Sequence, residues 1–268
     1  MADIEWHYIE NQFDNSTKDS YKRAKQQAIY HMTAVGNAPG GIVAALTNRI
    51  NAVAPPYIAK YEEWHQKRGL LKGATQSLAD RVELLGRTEI EEIETMFKSG
   101  YKRGTPEHTS AFPQGREPFQ HGGADERIAA AGNLSVRCAA LTTPLLAGLA
   151  DAQANAEPQG VIDDWQRRVF SMQGAQAMAA EAEAELIALR TAQDDLETEA
   201  ELARTQIEPL RMGVADALYA NLGALMQALN TEALRPQISA YFNLDILRET
   251  SPEEEEPPVV TPPPTPTP

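Results

Sequence analysis

Between Val161 and Leu229 apolar residues recur mostly at steps of three and four: Trp165, Met172, Ala175, Ala179, Ala182, Leu186, Leu189, Leu196, Ala200, Ala203, Ile207, Leu210 and Val214, with Gln193 as a polar insertion. A heptad-like stripe keeps one helix face apolar along its whole length, and such a face must lie against another helix. Over about 65 residues the helix would reach roughly 100 Å, at about 1.5 Å per residue. Alanine dominates the stripe. It favours helix but buries little area, so the partner axis has to come close over a long contact. The expected fold class is all-α: an elongated helical bundle with one long coiled-coil arm. Pro209, which removes the bond to the Thr205 carbonyl, is expected to kink that arm. Gln193 on the seam would fix register at some cost in stability.

The rest of the chain divides by its breakers. Trp6, Tyr8, Ile9 and Phe13 suit a short docking arm, and Asp14, Asn15 and Ser16 offer N-cap oxygens for a helix from about Thr17 to Val35. Gly36, Asn37, Pro39, Gly40 and Gly41 interrupt it. A second helix over 42–53 is expected to stop at Pro55 and Pro56, with Pro56 opening a third through Tyr57, Tyr61, Trp64, Leu78, Val82 and Leu85. Thr88 with Glu91 three residues on fits a capping box before Ile90, Ile93, Met96 and Phe97. Residues 101–123 read as a Gly/Pro-rich loop. Helix resumes over 124–154, a turn follows, and then the arm; a last short element spans Pro236 to Leu247. The segments are thus 1–100 (helical), 101–123 (loop), 124–250 (helical hairpin with the arm) and 251–268. This last segment, four glutamates and then alternating Pro and Thr, reads as a disordered tail.

Charge narrows the possible functions. The net charge is −14, and it is unevenly placed: 16 basic against 17 acidic side chains in 1–130, but 8 against 21 thereafter. No lysine follows Lys102. An acidic half repels phosphate backbones, so no nucleic-acid partner is expected. The single cysteine, Cys138, rules out an intrachain disulfide and a cysteine-based zinc cage, and its Ala/Leu-rich setting points to packing. The first fifteen residues lack a basic region followed by an apolar one, which gives a cytoplasmic expectation, with signal-less export left open.

Three constellations stand out. The loop holds His108, Phe112, Arg116, Phe119 and His121, with Arg103 and Arg127 nearby. Arg116 suits clamping a carboxylate or phosphate, and the histidines suit metal or proton transfer; in the plainer reading Arg116 pairs with an internal acid while the phenylalanines staple the loop. No spacing there matches a metal, nucleophile or cofactor motif, so no cofactor is assigned. Tyr57, Tyr61, Trp64, His65, Lys67, Arg68 and Lys72 form an aromatic and basic cluster that reads either as an anion-facing surface or as a core stripe with solvated lysines. The alternating carboxylates Glu181, Glu183, Glu185, Glu197, Glu199 and Glu201 diverge around a helix and converge on nothing.

The leading functional expectation is a non-enzymatic structural, scaffolding or assembly protein acting through helix–helix interfaces. Its partner is another protein or a second copy, met through Trp165, Met172, Leu186, Leu189, Leu196, Ile207 and Leu210. The alternative is a soluble membrane-inserting, pore-forming-like effector using 128–150. That stretch makes a poor span, since Arg137 sits near its middle among Ala, Gly, Asn and Thr. A third reading is an enzyme or ligand binder centred on the 101–123 loop.

Overall fold

The computed structural model describes residues 13, 20–36, 41–229 and 235–243. Among these every regular element is helical: α1 (Ser20–Gly36), α2 (Gly41–Leu84), a π-helical turn (Leu85–Glu89), α3 (Ile90–Gly100), α4 (Pro106–Ala111), α5 (Glu117–Gln120), α6 (Ala124–Ala154), α7 (Gln159–Ala228) and a 3-10 turn (Arg235–Tyr241). The all-α class holds. The docking arm around Trp6, Tyr8 and Ile9, the N-caps Asp14 to Ser16, the breakers Asn37 to Gly40, Leu244, Leu247 and the tail 251–268 lie outside the described residues.

Two expected boundaries are absent. Pro55 and Pro56 do not end a helix, because α2 runs through both. Each proline forfeits a hydrogen bond, at about 3 kcal/mol or more in a helix interior. Their rings are exposed, as are Asn51 and Ala52, whose carbonyls lose their donors. Across the helix Leu46, Ile50, Ala54, Tyr57 and Tyr61 are all buried, so apolar packing on one face outweighs the loss on the other.

The Thr88 capping box is likewise not formed. Thr88 is exposed, and the chain passes from α2 into α3 through the π turn with no side-chain cap. The buried residues explain this. Leu78 and Leu85 are seven apart, Leu85 and Ile90 five, Ile90 and Phe97 seven again. A five-residue step overshoots an α-turn, and the wider π turn absorbs the surplus while all four side chains stay buried.

The described chain forms two compact units. The first, from 1–66 and 200–268, packs Ala24, Ala28, Val35, Leu46, Ile50 and Tyr57 with Ile207, Val214, Leu218, Leu222, Leu225, Ile238 and Phe242. The second, 67–199, packs Leu85, Ile90, Ile93, Phe97, Phe112 and Phe119 with Leu134, Cys138, Leu145, Met172, Ala175, Ala179, Ala182 and Leu186. The apolar stripe of α7 therefore finds its companions inside the chain in both units. Pro209 sits within α7, exposed, and the helix continues past it. Gln193 on the stripe meets a polar partner: its Nε2 donates to Thr75 Oγ1 at 3.1 Å.

Close approach makes two glycines obligatory. A Cβ on Gly148 would fall 2.5 Å from the Trp165 ring, and one on Gly86, within the π turn, 2.6 Å from the Phe119 carbonyl oxygen. A backbone oxygen cannot swing aside. Gly86→Ala is therefore expected to cost about 2 kcal/mol, within the range seen for overpacking. Urea unfolding measures it, and an unchanged midpoint would show that Phe119 does not sit where described.

Candidate functional site

The 101–123 segment is built rather than loose. Thr105 caps α4 by accepting from the His108 N–H at 3.3 Å, and Pro106 takes the first helical position, where a missing N–H costs nothing. Gly104, Gly115 and Gly122 have positive φ at the turns. His108, Phe112 and Phe119 are buried, and His108 and Phe112 meet Phe97 edge to face: the Phe97–Phe112 centroids are 5.3 Å apart at 89°, and Phe97–His108 5.6 Å at 80°.

Arg116 closes on two internal acids. Its Nε donates to Glu94 Oε2 at 2.6 Å, Nη2 approaches the same oxygen at 2.5 Å, and Nη1 pairs with Glu91. Lys98 Nζ reaches Glu94 Oε1 at 3.0 Å. Burial alone would raise the Glu94 pKa; the hydrogen bonds from Lys98 and Arg116 more than offset it and hold the carboxyl below its ordinary value. His108 Nε2 lies 3.5 Å from Glu94 Oε1 and makes no hydrogen bond. His121 is exposed. Among the described residues no group of three or more His, Cys, Asp or Glu is arranged to hold a metal.

Three arginines tie the segment to its surroundings in the same way. Arg168 Nε donates to the Gly100 carbonyl at 3.0 Å, Arg137 Nη1 to Ala111 at 3.1 Å, and Arg127 Nη2 to Gln120 at 2.8 Å. Those carbonyls belong to the last residues of α3, α4 and α5, the ends that leave acceptors unpaired and carry partial negative charge. Arg168 also lies over Trp165, 4.6 Å from the ring centroid. A cleft of about 330 Å³ remains beside α4 and α5, lined by Phe112, Pro113, Gly115, Phe119, Asn133 and Arg137 among others.

The seam and the aromatic members of the second cluster go into packing, while His65, Arg68 and Lys72 are exposed. Of the seam residues, Met172, Leu186 and Ile207 are fully buried, while Trp165, Leu189, Leu196 and Leu210 are half-buried. Tyr57 is buried in the first unit and donates its hydroxyl to the Tyr21 carbonyl at 2.5 Å, and Lys25 sits 4.9 Å from the Tyr61 ring centroid. Cys138 is buried, which pushes its thiol pKa up to about 12 and leaves it a poor nucleophile. No helix among the described residues is long and apolar enough to cross a membrane, 128–150 in α6 included.

Sequence reasoning missed Glu94, the acid at the centre of the loop's charges, and the pair His31 and Asn221 in the first unit. The signal was present: Glu94 falls between Ile90, Ile93 and Phe97 on the buried stripe of α3, and Asn221 between Leu218 and Leu225 on that of α7. A polar residue on an apolar stripe needs a buried partner. No protein-family model, curated protein or solved structure matches this chain.

Proposed function

We propose that the protein is a non-enzymatic helical assembly component that works through its outer surface. The supporting observation is that most of its specific-looking side chains are committed to partners within the chain. Arg116 is committed to Glu94 and Glu91, three further arginines to helix ends, and the deepest seam residues to the two cores. Large apolar side chains nevertheless remain outside: Phe170 on α7 is 77% exposed and Val136 on α6 is 69% exposed. Single exposed apolar residues are ordinary, but a phenylalanine this exposed on a well-formed helix contributes nothing to folding and is available to a partner.

The experiment is a change that folding ignores and assembly does not. Phe170→Glu is expected to leave helicity and the unfolding midpoint within about 0.5 kcal/mol of wild type, as exposed substitutions do. In native extract the wild-type chain is expected to migrate well above its monomer mass, and the variant at or near it. A wild-type chain that runs as a free monomer in its native extract removes the proposal.

A further inference from the structure

The first unit contains a buried polar chain whose members have no freedom of role. His31 on α1 and Asn221 on α7 are both 0% exposed. Arg49 on α2 donates from Nη1 to Asn221 Oδ1 at 2.9 Å, and a guanidinium can only donate. Asn221 Nδ2 donates to the Leu46 carbonyl at 3.1 Å, and a carbonyl can only accept. These two contacts fix the amide, so its second N–H points at His31 Nε2, 2.9 Å away, which must offer a lone pair. On the other side of the ring, His31 Nδ1 stands 2.8 Å from the Tyr241 carbonyl and must carry the proton. Only one form of His31 satisfies every partner: neutral, with its hydrogen on Nδ1.

We propose that His31 is an acid-operated latch, holding the 3-10 turn Arg235–Tyr241 and the following Phe242 against the helices of the first unit while it stays neutral. The turn is also held by apolar seating and by side chains of α1. Ile238 and Phe242 are buried, and Phe242 stacks on the His31 ring with centroids 4.6 Å apart and touches Phe13 at 5.5 Å. Gln27, one turn earlier on α1, pairs its amide with the main-chain N–H and C=O of Asn243 at 3.2 Å. Among the described residues the titratable groups around the site include Arg49 from α2, reached through Asn221, Tyr241 from the 3-10 turn, and Tyr30 from α1, whose hydroxyl lies 3.5 Å from the Ala240 carbonyl. A proton added at Nε2 would put N–H against N–H at Asn221, and Asn221 cannot turn over without facing its oxygen to the Leu46 carbonyl and its amine to Arg49. The cheapest relief is for the ring and the turn above it to leave.

Burial is the largest influence on His31 and lowers its pKa to about 4; the bond to Tyr241 opposes that. Once the turn lifts and water reaches the ring, the pKa returns toward its ordinary value of 6.5. The open form then binds the proton more readily. Latching is complete above about pH 6.5 and weakens about tenfold per pH unit down to about pH 4.

Hydrogen exchange tests this on the whole chain. Corrected for intrinsic rates, amides in 235–243 of the wild type are expected to exchange about 15-fold faster at about pH 5 than at pH 6.5, while those of α6 hold steady. His31→Gln offers a donor to Tyr241 and an acceptor to Asn221 without titrating in this range, so its exchange there is expected to stay flat. A flat wild-type profile, or a variant that speeds up as much as wild type, overturns the proposal. Should His31→Gln fail to fold, the imidazole NMR titration of the wild type decides instead: a midpoint below about 5 supports the latch, and one near 6.5 overturns it.

Discussion

Replacing Leu186 with aspartate is expected to lower stability by about 4 kcal/mol or more, enough to unfold much of the second unit at room temperature. Leu186 is completely buried in a core whose other α7 members are mostly alanines, so it supplies a large share of the apolar area there. Its removal forfeits about 2 kcal/mol of burial, and the carboxylate that replaces it has neither water nor a cation within the apolar cluster. The same change at Leu189, which is half-buried, is expected to cost about 1–2 kcal/mol, because its carboxylate can reach solvent. Urea titration followed by circular dichroism separates the two. Equal losses at both positions would mean that the seam is not packed as described.

The second large effect belongs to Glu94. Glu94→Leu should destabilise by about 3 kcal/mol, since it strands the Arg116 guanidinium beside Glu91 alone and takes a partner from Lys98. Partial exposure of Arg116 keeps the loss from being larger. Glu94→Gln, which still accepts hydrogen bonds, is expected to lose about 1 kcal/mol. The sign of the pH effect follows from the lowered pKa. Glu94 contributes stability that is present above its unfolded value of 4.5 and lost as pH falls through the folded one. Acid unfolding curves of Glu94→Gln should be shallower than wild type below about pH 4.5, and parallel curves would count against the Glu94–Arg116 clamp.

Period and spacing made much of this fold legible. The arm expected over 161–229 is α7, 159–228, and the helix expected over 124–154 is α6 to the residue. The arm shows itself through its three- and four-residue apolar steps, and both helices are bounded by turn-forming residues. Failures came where tertiary packing overrode a local rule. Two adjacent prolines normally end a helix, yet Tyr57 and Ala54 anchor α2 on either side of them. Thr88 and Glu91 match a capping box, but α3 continues directly from the π turn, so no free helix end is left there for Thr88 to cap. The 101–123 segment hid α4 and α5 because four to six residues are too few to show a period. Arg116 and Phe119 were visible as candidates, but Arg127, Arg137 and Arg168 act on main-chain oxygens, and such acceptors leave no trace in side-chain pattern.

The widened coil at 85–89 has a consequence for how the chain tolerates change. A residue gained or dropped elsewhere in a long rod turns everything downstream by about 100° and presents the wrong side to its neighbours. Here one supernumerary residue is already accommodated, with greasy positions aligned both before and after it. That stretch works as a slip joint. The helix loosens its winding there and leaves both flanks in phase.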